Sequence, residues 1–185
     1  AGDLSWATHL EDALSDLKTL SALPGRKIIV RGNHDYWWNT VSKMKRMTDN
    51  AFEFIFNSAL SVGNIALAGT RGWIPETSKK ITEEDKVIIL REQGRLERSL
   101  IEAEKLNCEK IFAVLHYPPF DEQRKPTKML EIMKSHGVTD CIYGHIHGKP
   151  NFNSLPEKME GIRLHLTSSD YLDFKPLLLA EWNES

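Results

Sequence analysis

Three short polar clusters in this 185-residue chain hold the residue types best suited to chemistry. They are Arg31-Gly32-Asn33-His34-Asp35, His116-Tyr117-Pro118-Pro119 and Gly144-His145-Ile146-His147-Gly148, with Asp3 near the start as a fourth element. Imidazole, carboxylate and amide groups are the usual nitrogen and oxygen ligands of first-row divalent metals. A His-x-His pair leaving a strand can aim two imidazoles into one pocket. Gly32 and Gly144 permit the tight backbone turn that such a pocket needs. His9, His136 and His165 stand alone and are read as ordinary surface or core histidines.

Each cluster follows a run of apolar residues. Lys27-Ile28-Ile29-Val30, Ile111-Phe112-Ala113-Val114-Leu115 and Asp140-Cys141-Ile142-Tyr143 read as strands buried on both faces. Ahead of them come amphipathic helical patterns. The first starts after Thr8, with Thr8-His9-Leu10-Glu11 as a capping box; the second spans Thr82 to Asn107 and the third Lys128 to His136. Helix followed by buried strand, repeated, predicts an α/β fold, and ligands in such folds bind at the carboxyl ends of strands. The three clusters should therefore converge. Phe52 to Phe56, Val62 to Ala68 around a turn at Asn57-Ser58, Ile162 to Leu166, and Leu177 to Ala180 read as strands with antiparallel or mixed pairing; Asn151 to Glu160 reads as a surface loop.

Composition narrows the function classes. Lys and Arg total 24 against 26 Asp and Glu, leaving a net charge of −2, so no basic excess exists to hold a nucleic-acid backbone. No apolar run approaches a membrane span of about 18 residues, and no signal-peptide pattern opens the chain; a soluble, cytoplasmic protein is expected. Cys108 and Cys141 lack metal or disulfide spacing and read as buried free thiols. The length suits one domain over residues 1–185.

Gly2-Asp3, Gly32-Asn33-His34-Asp35, His116 and Gly144-His145-Ile146-His147, in that order, resemble the calcineurin-like metallophosphoesterases. That family's pattern is Asp-x-His, Gly-Asp, Gly-Asn-His-Asp/Glu, an isolated His, then Gly-His-x-His. The resemblance implies a four-layer α/β/β/α sandwich with mixed sheets and two divalent ions, Mn, Fe or Zn. Asp3 would bridge the ions; Asn33, His116 and His145 would complete the second site, and His147 would serve the first. His34 would act as the acid beside the leaving oxygen, with Asp3 counted alongside it as catalytic. Asp35 is read either as an orienter or as a surface carboxylate at a helix start.

Asp-x-His occurs nowhere in the chain. One well-held metal is therefore expected, and the domain is read as incomplete at its N-terminal end, lacking a strand or strands. Arg31 occupies the position where related protein phosphatases carry a phosphate-holding arginine, and a guanidinium suits bidentate phosphate binding. Those enzymes have a second arginine motif after Gly-Asp; here Leu4-Ser5-Trp6-Ala7-Thr8 stands instead, so a protein substrate is disfavoured. Arg71 is a second clamp candidate, with a structural salt bridge as the other reading. Trp6, Trp37, Trp38 and Trp73 adjoin the motifs and could stack an aryl group or nucleobase, or simply wall the pocket. The expected activity is hydrolysis of a small phosphomonoester, phosphodiester or nucleotide by a metal-activated water. The alternative is a silent metal-binding fragment that needs an N-terminal segment.

Overall fold

The computed structural model describes residues 1–181. Its largest sheet has six strands in the order β3-β4-β5-β6-β8-β7: β3 Ala59–Val62, β4 Ile65–Thr70, β5 Lys110–Leu115, β6 Val138–Tyr143, β7 Lys158–Met159 and β8 Ile162–Leu166. The four central strands β4, β5, β6 and β8 run parallel, whereas β3 and β7 are antiparallel edges. A second sheet has two parallel strands, β1 Ile28–Ile29 and β2 Glu53–Phe54. The molecule is thus α/β with mixed sheets.

Each sheet builds its own core with helices. Helices α1 Leu10–Ser21 and α2 Val41–Met47 supply Leu10, Ala13, Leu17 and Met44, which pack with Ile29, Trp37, Phe52 and Phe54 around the small sheet. Against the large sheet lie α3 Glu83–Glu104 and α4 Lys128–Ser135, whose Leu96, Leu100, Leu130 and Met133 meet Ala66, Ala113, Leu115 and Cys141. The same two helices are the crossovers that join parallel neighbours. The capping box that opens α3 is complete: Thr82 Oγ1 accepts from the Asp85 N–H at 3.1 Å, and the Asp85 carboxylate accepts from the Thr82 N–H at 2.9 Å.

Several expectations need correction. Helix α1 begins at Leu10 with His9 as its N-cap and no side-chain cap, so the Thr8 capping box does not form. The expected strand from Val62 to Ala68 is split by a turn at Gly63-Asn64, because Gly63 adopts a positive φ of 56° and reverses the chain there; Asn57-Ser58 is not the hairpin turn. Strand β2 pairs only with β1, in parallel, whereas β8 has the mixed pairing expected, parallel to β6 and antiparallel to β7. Leu177 to Ala180 forms no strand. The stretch read as a loop after Asn151 contains β7 and follows a 3₁₀ turn at Lys149–Phe152. Cys141 is buried but Cys108 is only half-buried; both are free thiols. No helix among the described residues is long and apolar enough to cross a membrane.

Parallel pairing has the consequence that matters for function. The carboxyl ends of β4, β5, β6 and β8 all open onto one edge of the sheet, where their loops are stitched together by backbone hydrogen bonds. His116 and Tyr117 N–H groups donate to the Arg71 carbonyl at 3.0 Å, Gly144 N–H to the His116 carbonyl at 3.1 Å, and Thr167 N–H to the Tyr143 carbonyl at 2.8 Å.

Candidate functional site

Asp3, Asn33, His116 and His145 meet at this edge. His116 Nε2 lies 2.6 Å from Asn33 Oδ1 and 3.4 Å from Asp3 Oδ2, and His145 Nδ1 lies 3.0 Å from Asn33 Oδ1 and 3.2 Å from His116 Nε2. The ring of His116 is oriented from behind. Its Nδ1 faces the Ala1 carbonyl at 2.8 Å, and a carbonyl can only accept, so Nδ1 carries the proton and donates. The Nε2 lone pair of the neutral ring then points into the cradle. Burial lowers the pKa of His116, and burial followed by the neighbouring His116 brings His145 down to about 4, so both rings are neutral at pH 7.

The His116 lone pair therefore faces Asn33 Oδ1, another acceptor, with the Asp3 carboxylate beside them. His145 Nδ1 can give one hydrogen bond to this group, and a divalent cation bonded to all of these atoms would take its place. Two imidazoles, an amide oxygen and a carboxylate form a donor set that first-row divalent ions accept. Counting His, Cys, Asp and Glu alone, no group of three or more among the described residues forms a metal-ligating cluster; the convergence here runs through the Asn33 amide oxygen.

The backbone places these donors at some cost. Asp3 and His145 both sit in the left-handed region, at φ 57° and 67°, which for residues other than glycine costs on the order of 1–3 kcal/mol each. Asp3 is held there by Asp35. This carboxylate is fully buried and accepts N–H groups from Gly32 at 2.7 Å, Leu4 at 2.8 Å, Asp3 and the Trp37 indole at 2.9 Å, and Ser5 at 3.4 Å. Of the two readings of Asp35, the surface carboxylate is excluded: it ties the Asp3–Ser5 segment to the loop after β1. The backbones of Gly2 and Gly32 touch, and a Cβ on Gly32 would collide with Asp3 itself, so glycine is required there.

The remaining candidates lie around this cradle. His34 donates its backbone N–H to Asp3 Oδ1 at 2.8 Å, and its ring stacks on the exposed Trp6, centroids 4.4 Å apart. His147 lines the same recess of about 170 Å³ as Asp3, His116 and His145, but its Nδ1 is engaged by Asp170 at 2.8 Å and not by the four convergent residues. Asp170 also accepts the Gly148 N–H at 2.8 Å. From the sequence, Ser168-Ser169-Asp170-Tyr171 is consistent with a closing loop without being diagnostic, and no motif there announces contact with a residue more than twenty positions earlier.

Arg71 stacks on Trp73, 4.3 Å from the ring centroid, and lies 3.7 Å from the buried Glu92, which also takes hydrogen bonds from Thr70 and Arg95. Its salt-bridge reading is thus realised. Arg31 follows β1, and its Nε, like that of Arg71, is buried without a hydrogen-bond partner. Burial lowers the pKa of both guanidinium groups. Trp37 is core, Trp38 and Trp73 are half-buried, and Trp6 is exposed. The lone histidines prove structural or exposed: His136 pairs with Glu104, His165 with Asp140, and His9 is an exposed cap.

The calcineurin-like phosphoesterase family model matches residues 1–149. No curated protein and no solved structure matches the chain.

Proposed function

Because the chain belongs to the calcineurin-like phosphoesterase family, we propose that it is a metal-dependent phosphohydrolase that cleaves a small phosphomonoester or phosphodiester. The observation that carries this reading is the convergence on His116 Nε2 of Asn33 Oδ1, His145 Nδ1 and the Asp3 carboxylate, at 2.6, 3.2 and 3.4 Å. Asp3, Asn33, His116 and His145 would hold one divalent ion tightly, with His147 as an outlying ligand for a second. When bound, such ions polarise phosphoryl oxygens and lower the pKa of a coordinated water.

The chain's own residues supply the rest. His116 and His145, kept neutral by burial, present lone pairs at pH 7 without first losing protons. His34 carries the proton to the leaving oxygen, its ring steadied against Trp6. Arg31 and Arg71 are the proposed phosphate clamps because a guanidinium suits bidentate phosphate binding; neither lines the recess, and Arg71 is also paired with Glu92.

A second reading is a domain that binds metal and is catalytically silent. It is favoured by the engagement of His147 with Asp170. Hydrolysis of aryl phosphate monoesters and diesters with added Mn²⁺ separates the two. The phosphohydrolase reading expects turnover that falls at least a hundredfold in His34→Ala while metal binding persists, within the range of about 10²–10⁴ for a general acid. Full activity in His34→Ala would overturn the acid assignment, and no turnover by the unaltered chain would favour the silent domain.

A further inference from the structure

Next to the 170 Å³ recess lies a larger cleft of about 550 Å³, and His145 and His147 line both. The two spaces share an imidazole wall, so a molecule with its phosphate in the cradle has room beside it for an organic group. A volume of this size falls within the range of about 300–1,000 Å³ common for small-molecule sites. Ile74, Pro75, Pro118 and Ile146 contribute apolar surface to it.

Two largely buried aromatic residues, Tyr117 and Phe120, back the remaining wall. The Tyr117 ring lies 4.1 Å from that of His145, so it belongs both to the support of the metal cradle and to the cleft. Phe120 is almost fully buried and is set edge-on against Tyr143 at 5.5 Å, which makes it a rigid surface. Above Phe120 lies the Arg124 guanidinium, 5.4 Å from the ring centroid, whose NH2 group donates to the Asn151 carbonyl at 3.4 Å.

Asp121 and the exposed Glu122 also border the cleft; the Asp121 carboxylate is turned into its own loop. Oδ1 accepts from the Gln123 and Lys125 N–H groups at 2.8 and 2.9 Å, and Oδ2 from the Thr77 hydroxyl at 3.1 Å. A planar guanidinium stacks on the face of a flat, electron-rich ring.

We propose that this cleft binds the organic group of the phosphoester, and that this group is aromatic and apolar. The inference rests on the phosphohydrolase reading above and adds the substrate class to it.

The test uses the Mn²⁺-loaded chain and two probes whose C–P bonds resist hydrolysis, 1-naphthylmethylphosphonate and methylphosphonate, titrated by calorimetry. The naphthyl probe should bind at least tenfold more tightly. Ile74→Trp, which fills the cleft from outside the cradle, should erase that advantage and change methylphosphonate affinity less than twofold; Ile74→Ala should retain most of it. Equal or undetectable binding of the two probes, or an advantage that survives Ile74→Trp, would overturn the proposal. Phosphate release from 1-naphthyl phosphate reads the hydrolysis claim separately. Naphthyl preference without release supports the cleft and removes the hydrolase, whereas release without preference does the reverse.

Discussion

Asp3 and Asp35 form a clasp across 32 positions of sequence: the Asp35 carboxylate accepts the Asp3 N–H at 2.9 Å, while the Asp3 carboxylate accepts the N–H of His34, the residue beside Asp35, at 2.8 Å. The clasp orients the carboxylate proposed to bind metal and fixes the backbone of the proposed acid. Since it also captures Gly32, Leu4 and Trp37, it couples the stability of this edge to the geometry of the site.

Replacing Asp35 with Asn keeps the size but loses the charge and turns an amide donor toward backbone donors. Hydrogen bonds to charged groups contribute about 1.5–3 kcal/mol each, and a buried donor left unpaired costs a further 1–3 kcal/mol. Asp35→Asn should therefore cost about 3 kcal/mol in urea unfolding and weaken divalent-ion binding at least tenfold. A stability loss below about 1 kcal/mol would show that the clasp is not structural.

Asp170→Ala should release His147 and the Gly148 N–H together. If His147 is outlying to the tight site, ion binding at Asp3, Asn33, His116 and His145 stays within twofold of the unaltered chain while aryl phosphate hydrolysis drops about tenfold, in line with effects of about 10–100-fold for groups that orient metal ligands. Calorimetry and steady-state kinetics read the two quantities. Loss of the tight ion would place His147 inside the primary set.

Acid sensitivity should trace in part to Asp140. Burial alone would raise its pKa, but hydrogen bonds from Arg163 and His165 outweigh burial and hold it at about 2. Its folded pKa is depressed, so the stabilisation is present above the unfolded value near pH 4 and is lost as the pH falls toward 2, on the order of 2 kcal/mol. The stability difference between the unaltered chain and Asp140→Asn should shrink across that window. A difference that does not change between pH 7 and pH 2 would contradict the assignment.

Much of the site was legible because strand-end chemistry is local. Asn33, His116 and His145 each follow a buried apolar run, and reading the runs as strand ends of one α/β fold was enough to predict that they converge, although Asn33 comes from the small sheet. The burial of Asp35 was not legible, since nothing in its neighbours reveals that the N–H groups of Asp3, Leu4 and Ser5 would fold back onto it. Contacts that span the chain, such as His147 with Asp170 or Arg71 with Glu92, depend on how loops and crossover helices pack, and spacing does not encode them. The helices followed their periodicity closely, as α3 shows. The short strands did not: β2 keeps only Glu53 and Phe54 because it pairs with the equally short β1.

Counting bound metal tests the site most directly. Titrating the chain with Mn²⁺ and measuring stoichiometry by calorimetry and elemental analysis should give one tightly bound ion per chain, lost in His145→Ala and in Asn33→Ala. Two ions held equally tightly, no tight ion, or an ion retained by both variants would contradict the assignment of Asp3, Asn33, His116 and His145 as its ligands.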